Sequence, residues 1–464
     1  MSAAPGLLAV FRDALARHGG LLALLGSSLR ILIKEGPAGF ADRKERYKQR
    51  LQTDTTEAQA PGDLEPEGQV QLASAGSAPG AAVAAPSRAE LAPGMTLIGH
   101  PYAVLGRAED IRTSACACDQ AGIPFSLLNV HGDYGKQDAD KHKDFPFFQR
   151  VGSRAGHRVN LFYLNADEMQ GALDVLGPEV FAGPYNIGCF AWELSRFPEA
   201  WVKAFEPLHE LWAPTRFIQQ ALAEKTRLPV TLMPFAIEPG PAVNRQRPEI
   251  GLPDDKFVFL FFFDFRSYMQ RKNPWAVLEA FFRAFPPGSS KAVHLLIKVN
   301  GSEQKPDDYR SLMDSPYLQD ERVQIVDQVL DDQAIKTLVQ LSDCFVSLHR
   351  SEGFGRGLAE AMYYGKPVIA TAYSGNVDFM HPGNACLVNC ALIPLAPDDY
   401  PHGAGQLWAD ADVDEAAWYM TKLVDDAAYA RKIGERAADF IKEFHSYQAV
   451  GAHYRRRLLQ LGSL

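Results

Sequence analysis

Two glutamates, Glu352 and Glu360, stand with seven residues between them in the stretch SLHRSEGFGRGLAEAMYYGKPVIAT, and Gly353, Gly355 and Gly357 lie in that interval. The stretch reads as a strand ending near Leu348, a glycine-bearing loop, a helix starting near Gly357 and a further strand, KPVIAT. Glycines let backbone N–H groups come close to an anion. A helix N-terminus adds unpaired N–H donors and a partial positive charge. The run Gly353, Phe354, Gly355, Arg356, Gly357 and Leu358 therefore suits a diphosphate. Glu352, at the loop start, can accept hydrogen bonds from sugar hydroxyls. Glu360, in the first helical turn, is a natural acceptor for the two vicinal hydroxyls of a ribose. The plainer alternative for Glu360 is a surface acid favoured by the helix dipole.

A second charged cluster lies earlier in the chain. FFFDFRSYMQRKNP runs from an apolar strand into a loop carrying Arg266, Arg271 and Lys272, ahead of a helix opened by Asn273 and Pro274. Cations at such a strand end neutralise a diphosphate, although a solvated basic loop has the same composition. Lys298, closing HLLIKVN, either lines the same cleft or faces solvent. In the first half, GHPYAVLGRAEDIRTSA places Gly106 and Arg107 in a loop before a helix beginning near Ala108. Glu109 there is an active-site residue or a first-turn acid favoured by the dipole. Trp192 and Glu193, in YNIGCFAWELSRFPEAW, fall just past a strand and so face a cleft. Trp192 is equally well a core aromatic. His349, beside the glutamate motif, either approaches the ligand or is a strand-end histidine with its partners satisfied.

These groups need a scaffold. From Met95 onward short apolar runs alternate with amphipathic stretches, which predicts βα units and largely parallel sheets. One set covers residues 94–238 and a second 239–440, with Pro234 and Pro239 marking the break and a C-terminal helix at about 440–464 packing back on the first set. Ligands of open α/β sheets lie at the carboxyl ends of the strands, so two such sheets face each other across the site. Residues 52–93, rich in Ala, Gly, Pro and Ser, read as a flexible linker. Residues 1–51 alternate apolar and basic positions, with nine Arg and Lys against four Asp and Glu. That is a basic amphipathic helical extension, which either lies on an anionic membrane surface or packs on the catalytic body or another subunit.

Net charge is −9, which argues against a nucleic-acid partner. The chain has no run of eighteen apolar residues and its N-terminus lacks the pattern of a signal peptide. Cys116, Cys118, Cys189, Cys344, Cys386 and Cys390 match no zinc spacing and read as reduced thiols of a cytosolic protein.

The combination EGFGxGLAEAM, GKPVIAT and SGN resembles the donor-site signature of retaining family-4 glycosyltransferases with the GT-B fold, strongly over residues 250–440 and in domain order over about 95–464. YNIGCFAWELSRFPEAW resembles a segment of some bacterial polysaccharide-assembly members, and GHPYAVLG the acceptor-side loop of the fold. The resemblance implies an α/β chain of two Rossmann-like domains facing across a cleft, plus the helical extension. It implies that Glu360 holds the donor ribose, that Glu352 contacts the transferred sugar, and that Arg266 and Lys272 bind the diphosphate and stabilise the leaving group. Gly106, Arg107, Trp192 and Glu193 fall on the acceptor side. The family's histidine near Trp192 is absent here. The implied reaction moves a sugar from a GDP- or UDP-sugar to a glycan or lipid-linked acceptor in bacterial polysaccharide synthesis. Its setting is the cytoplasm or the inner face of the membrane.

No cofactor or metal is expected. Asp138-Ala-Asp140 and Asp410-Ala-Asp412 match the Asp-x-Asp pattern of metal-dependent glycosyltransferases but fall in charged, loop-like stretches. An inactive scaffold of the same fold is the alternative; the intact glutamates and basic pair weigh against it. No lysine signature for a pyridoxal cofactor points to a phosphorolytic enzyme, and no GxGxxG with a later acid points to an NAD enzyme.

Overall fold

The computed structural model describes residues 87–104, 106–132, 135–240 and 245–464. The expected helical extension and most of the expected linker lie outside the described residues. The end of that linker stretch is part of the fold. Arg88 donates to Leu461 O and to Ser463 Oγ, each at 2.7 Å, and the first strand begins at Ala92.

The first domain is a seven-stranded parallel sheet. Its strands are β1 (Ala92–Gly99), β2 (Phe125–Asn129), β3 (Val151–Gly152), β4 (His157–Phe162), β5 (Tyr185–Cys189), β6 (Glu210–Ala213) and β7 (Val230–Leu232), in the order β3-β2-β1-β4-β5-β6-β7. Helices α1 (Gly106–Gln120), α2 (Met169–Leu176) and α3 (Arg216–Ala223) belong to it. Order reverses at β1, so its carboxyl end, where α1 starts, is the place such a sheet offers a ligand.

The second domain holds a six-stranded parallel sheet. Its strands are β8 (Phe257–Asp264), β9 (Val293–Asn300), β10 (Val323–Asp327), β11 (Cys344–Ser347), β12 (Val368–Thr371) and β13 (Cys386–Val388), in the order β10-β9-β8-β11-β12-β13. Here β8 is central, and its sequence FVFLFFFD is almost unbroken in apolar residues because both faces are covered. The helices are α4 (Met269–Lys272), α5 (Pro274–Ala284), α6 (Pro306–Met313), α7 (Asp332–Leu341), α8 (Arg356–Tyr363), α9 (Val413–Asp425) and α10 (Ala427–Phe444). An antiparallel hairpin, β14 (Cys390–Pro394) with β15 (Leu407–Ala411), precedes α9.

After α10 the chain turns at His445 and returns to the first domain as α11 (Tyr447–Gln460). There α11 packs on α1. A Cβ on Gly451 would fall 2.3 Å from Ala117 O, so glycine permits the close approach. Tyr454 OH and Ser114 Oγ share a hydrogen bond of 2.9 Å, and Arg457 meets the buried Glu210 at 2.7 Å. The chain crosses between domains near Phe235 and Ile237. The Ile237 N–H donates to His445 O at 2.7 Å. Phe235 stacks edge-on with Phe354 of the second domain, and one apolar cluster runs through both domains. Among the described residues no helix is long and apolar enough to cross a membrane.

Candidate active site

The glycine loop lies between β11 and α8. Gly355 caps α8 with φ +91°, a backbone conformation that favours glycine. The loop is pinned from behind. The Gly375 N–H donates to Glu352 O at 2.8 Å, the Glu352 N–H donates to Ser374 Oγ at 2.8 Å, and Thr215 Oγ donates to Gly353 O at 2.8 Å. Any Cβ on Gly375 would lie 1.9 Å from Gly353 O, so the two loops touch backbone to backbone.

The loop opens onto a cleft of about 510 Å³ between the domains, within the range that holds small-molecule ligands. Gly355, Arg356, Gly357, Leu358 and Glu360 border it, together with Arg266, Arg271, Lys272, Lys298 and Glu352 of the second domain. Gly106 and Glu193 border it from the first domain. Apolar and aromatic groups, Phe262, Phe345, Val329 and Leu330, line the same space.

At its centre Glu352 bridges two cations. Lys272 Nζ bonds Oε1, and Arg271 Nη1 lies 3.2 Å from Oε2. Burial opposes the charge on Glu352, but Lys272 and Arg271 outweigh it and hold the carboxyl at about 2. Burial also lowers Lys272, against the pull of Glu352. Arg271 is 3% exposed and donates to Ser351 O at 2.9 Å. It is thus a built-in part of the site, although the family resemblance pointed to Arg266. Arg266 borders the cleft with its guanidinium clasped by Asp264, Nε 2.9 Å from Oδ1. Lys298 is buried, bonds Asn300 Oδ1, and burial brings it down to about 8.

Glu360 lies one turn into α8, beyond the first turn expected for it. Burial pushes it up to about 7, with Glu109 adding to the shift and Arg356 opposing it. Arg356 reaches across the cleft to Asp110 of the first domain at 2.5 Å. It ties the domains together instead of lying free for a ligand. Glu109 is paired with Arg112 at 2.7 Å, and Arg112 and Arg356 keep it below the usual carboxylate range despite burial.

Several expected contacts are occupied elsewhere. Phe354 is a core side chain between Phe235 and Phe379. Gly353 packs against Trp192 O, where a Cβ would lie at 2.7 Å. Arg107 sits inside the first turn of α1, not in a loop, and donates to Asp110, Leu164 O and Cys189 O. Trp192 is 2% exposed, donates to Arg196 O at 3.0 Å, and packs on Phe197 and Trp201. It is a core aromatic and offers no face for stacking. His349 is buried between Ser347 and Asn376, each at 3.1 Å. Asp138 pairs with Lys141 in a 3-10 turn. Asp410 lies in β15 and Asp412 caps α9, so neither acidic pair is the loop expected. Among the described residues no group of three or more His, Cys, Asp or Glu could hold a metal ion.

Comparison with known proteins agrees with this architecture. Residues 243–440 match the family model Glycosyl transferases group 1. No curated protein matches the chain. Among solved structures, sucrose-phosphate synthase from Thermosynechococcus elongatus superposes with a TM-score of 0.57 at 15% identity, covering 80% of this chain and 99% of that one. Anabaena Alr3699/HepE in complex with UDP and glucose gives 0.53 at 14% identity, covering 80% and 100%. A glycosyltransferase from Rickettsia africae ESF-5 gives 0.54 at 14%, covering 79% and 98%. The chain has the GT-B fold, and its residues 243–440 are similar to the glycosyl transferases group 1 family.

Proposed function

We propose that this protein is a retaining glycosyltransferase that moves a sugar from a GDP- or UDP-sugar onto a glycan or lipid-linked acceptor. The observation that carries the reading is one cleft holding a helix N-terminus behind a glycine loop, a half-buried acid one turn further on, and two cations on a shared carboxylate. The backbone of Gly355 to Leu358 and the cations of Lys272 and Arg271 receive the diphosphate. Glu360 receives the ribose, and Val329 and Leu330 offer an apolar wall to the base. As the glycosidic bond breaks, negative charge grows on the leaving phosphate, where fixed cations and dipoles act most strongly. Attack comes from the same face as the leaving group, and the departing phosphate helps to take the acceptor proton. With the diphosphate's charge met by these groups, the reaction needs no metal.

The nucleotide is tested by thermal stabilisation with UDP, GDP, ADP, NAD and phosphate. UDP or GDP stabilises the protein if the reading holds; stabilisation by NAD or phosphate alone contradicts it. The pH dependence is specific. A carboxylate accepts ribose hydroxyls, so affinity for the stabilising nucleotide rises as pH is raised through about 7 and Glu360 ionises. Glu360→Gln abolishes that step. Equal wild-type affinity at pH 6 and pH 8, by calorimetry, sinks the assignment.

The proposed setting is bacterial polysaccharide assembly at the inner face of the membrane, with residues 1–51 on an anionic surface. The full chain should co-sediment with phosphatidylglycerol vesicles at low salt and lose most of that binding without residues 1–51. Equal binding by the two forms contradicts the role given to the extension.

A further inference from the structure

The connection from β13 to α9 is longer than a strand-to-helix link needs. It runs out as the β14–β15 hairpin, and its loop, residues 395–406, reaches the first domain. There the Arg196 N–H donates to Gln406 Oε1 at 2.9 Å and Gln406 Nε2 donates back to Arg196 O at 3.2 Å. The Arg196 guanidinium also donates to Gly405 O. Tyr400 lies within this loop, 9% exposed. Its ring packs edge-on against Trp192 and Tyr268, with the Arg271 guanidinium 5.8 Å from its centre. Its hydroxyl donates to Glu193 Oε2 at 2.6 Å.

Glu193 belongs to the first domain but is held from the second, by Tyr400 at its carboxylate and by Ser351 Oγ at its backbone carbonyl. It borders the cleft beside Arg271, Lys272 and Glu352. Both oxygens of Glu352 are taken by cations. Among the described residues, Glu193 Oε1 has no hydrogen-bond partner in the protein. The tyrosine contact is short and charge-assisted, which fixes the carboxylate more firmly than a neutral bond would. Without it, Glu193 would be free to turn toward Arg271, whose charge it already feels.

We infer that the 395–406 strap closes the reacting end of the cleft, and that Tyr400 is a positioning residue holding Glu193 so that its free oxygen accepts a hydroxyl of the transferred sugar. The inference rests on the glycosyl-transfer reading above and adds the element that orients the sugar. Tyr400 touches no reacting atom; it acts through Glu193.

The test uses the full chain as wild type, Tyr400→Phe, Glu193→Gln and the double variant. Two readouts are compared: thermal stabilisation by UDP and GDP, and the rate at which the nucleotide sugar consumed by the wild type is broken down. The nucleotide should stabilise all four proteins equally. Tyr400→Phe should lower kcat about tenfold and Glu193→Gln about a hundredfold, the scale of a misplaced positioning group. The double variant should be no slower than Glu193→Gln alone, because the tyrosine works through the glutamate. A purely structural tyrosine would lower the melting temperature and leave kcat unchanged. That result, or losses that multiply in the double variant, overturns the inference while leaving the glycosyl-transfer reading intact. A wild type stabilised by neither nucleotide and consuming no nucleotide sugar overturns that reading and this inference together.

Discussion

Replacing Lys272 by alanine should lower kcat for donor breakdown by about a hundredfold to a thousandfold, the range seen when one preorganised charge-stabilising donor is removed. The reason is position. Lys272 Nζ sits on Glu352 at the centre of the cleft, with Arg271 against the other oxygen. Binding a diphosphate brings two more negative charges to this cluster, and bond cleavage increases the charge on the leaving phosphate. The lysine is already desolvated there, so its interaction with that growing charge is weakly screened. Ground-state nucleotide affinity falls less than kcat, because the backbone donors of the α8 N-terminus remain. Arg266→Ala should cost far less than Lys272→Ala, since its guanidinium is clasped by Asp264. Steady-state kinetics on both variants decide the matter. A Lys272→Ala enzyme within threefold of wild type, or an Arg266→Ala enzyme that is the more damaged of the two, contradicts the placement.

Glu352→Ala should be the most destabilising single change in the cleft, by roughly 3–5 kcal/mol, the usual cost of breaking a buried ion pair from one side. It leaves Arg271 and Lys272 side by side without their shared counter-charge, and Arg271 is almost wholly buried. Urea unfolding should show the loss as a lower midpoint with little change in slope. The same carboxylate gives a pH signature. Its folded value of about 2 lies below the ordinary 4.5, so its contribution is present above pH 4.5. It is lost as pH falls from there through about 2, and the difference corresponds to about 3 kcal/mol. Glu360 works in the opposite sense. Its value is raised to about 7, so its contribution is present below about 4.5 and is lost as pH rises through 7. Glu352→Ala should therefore flatten the acid limb of stability between pH 2 and 4.5. An unchanged acid limb would show that Glu352 is not held by the two cations.

The parallel architecture was legible because its periodicities are local. Apolar runs such as FVFLFFFD, CFVS and VIAT suit strands covered on both faces, and the glycine pattern around Gly355 marks a turn into a helix. Short strands β3, β7 and β13 and the β14–β15 hairpin gave no comparable signal. In CALIP and LWADA the residues alternate without a clean apolar face, so only tertiary pairing reveals them. Charge partners were not legible at all. The family resemblance pointed to Arg266, but Asp264 two residues away claims it, while Arg271 finds Glu352 across eighty-one positions of sequence. Asn273 marked a helix start correctly for a different reason. It caps nothing with its side chain, adopts φ +55° and donates to Leu348 O. Arg107, Phe354 and Trp192 show the same limit. Proximity to a motif is a property of the sequence, whereas facing the cleft depends on packing against distant elements.

The most direct measurement is to incubate the full chain with radiolabelled GDP- and UDP-sugars, without acceptor, and follow release of sugar and nucleoside diphosphate. One nucleotide sugar should be broken down slowly into free sugar and its nucleoside diphosphate, and Lys272→Ala should nearly abolish that release while the folded protein persists. No breakdown of any donor in the panel, or breakdown unaffected by Lys272→Ala, would contradict a nucleotide-sugar site at the Glu352–Glu360 loop.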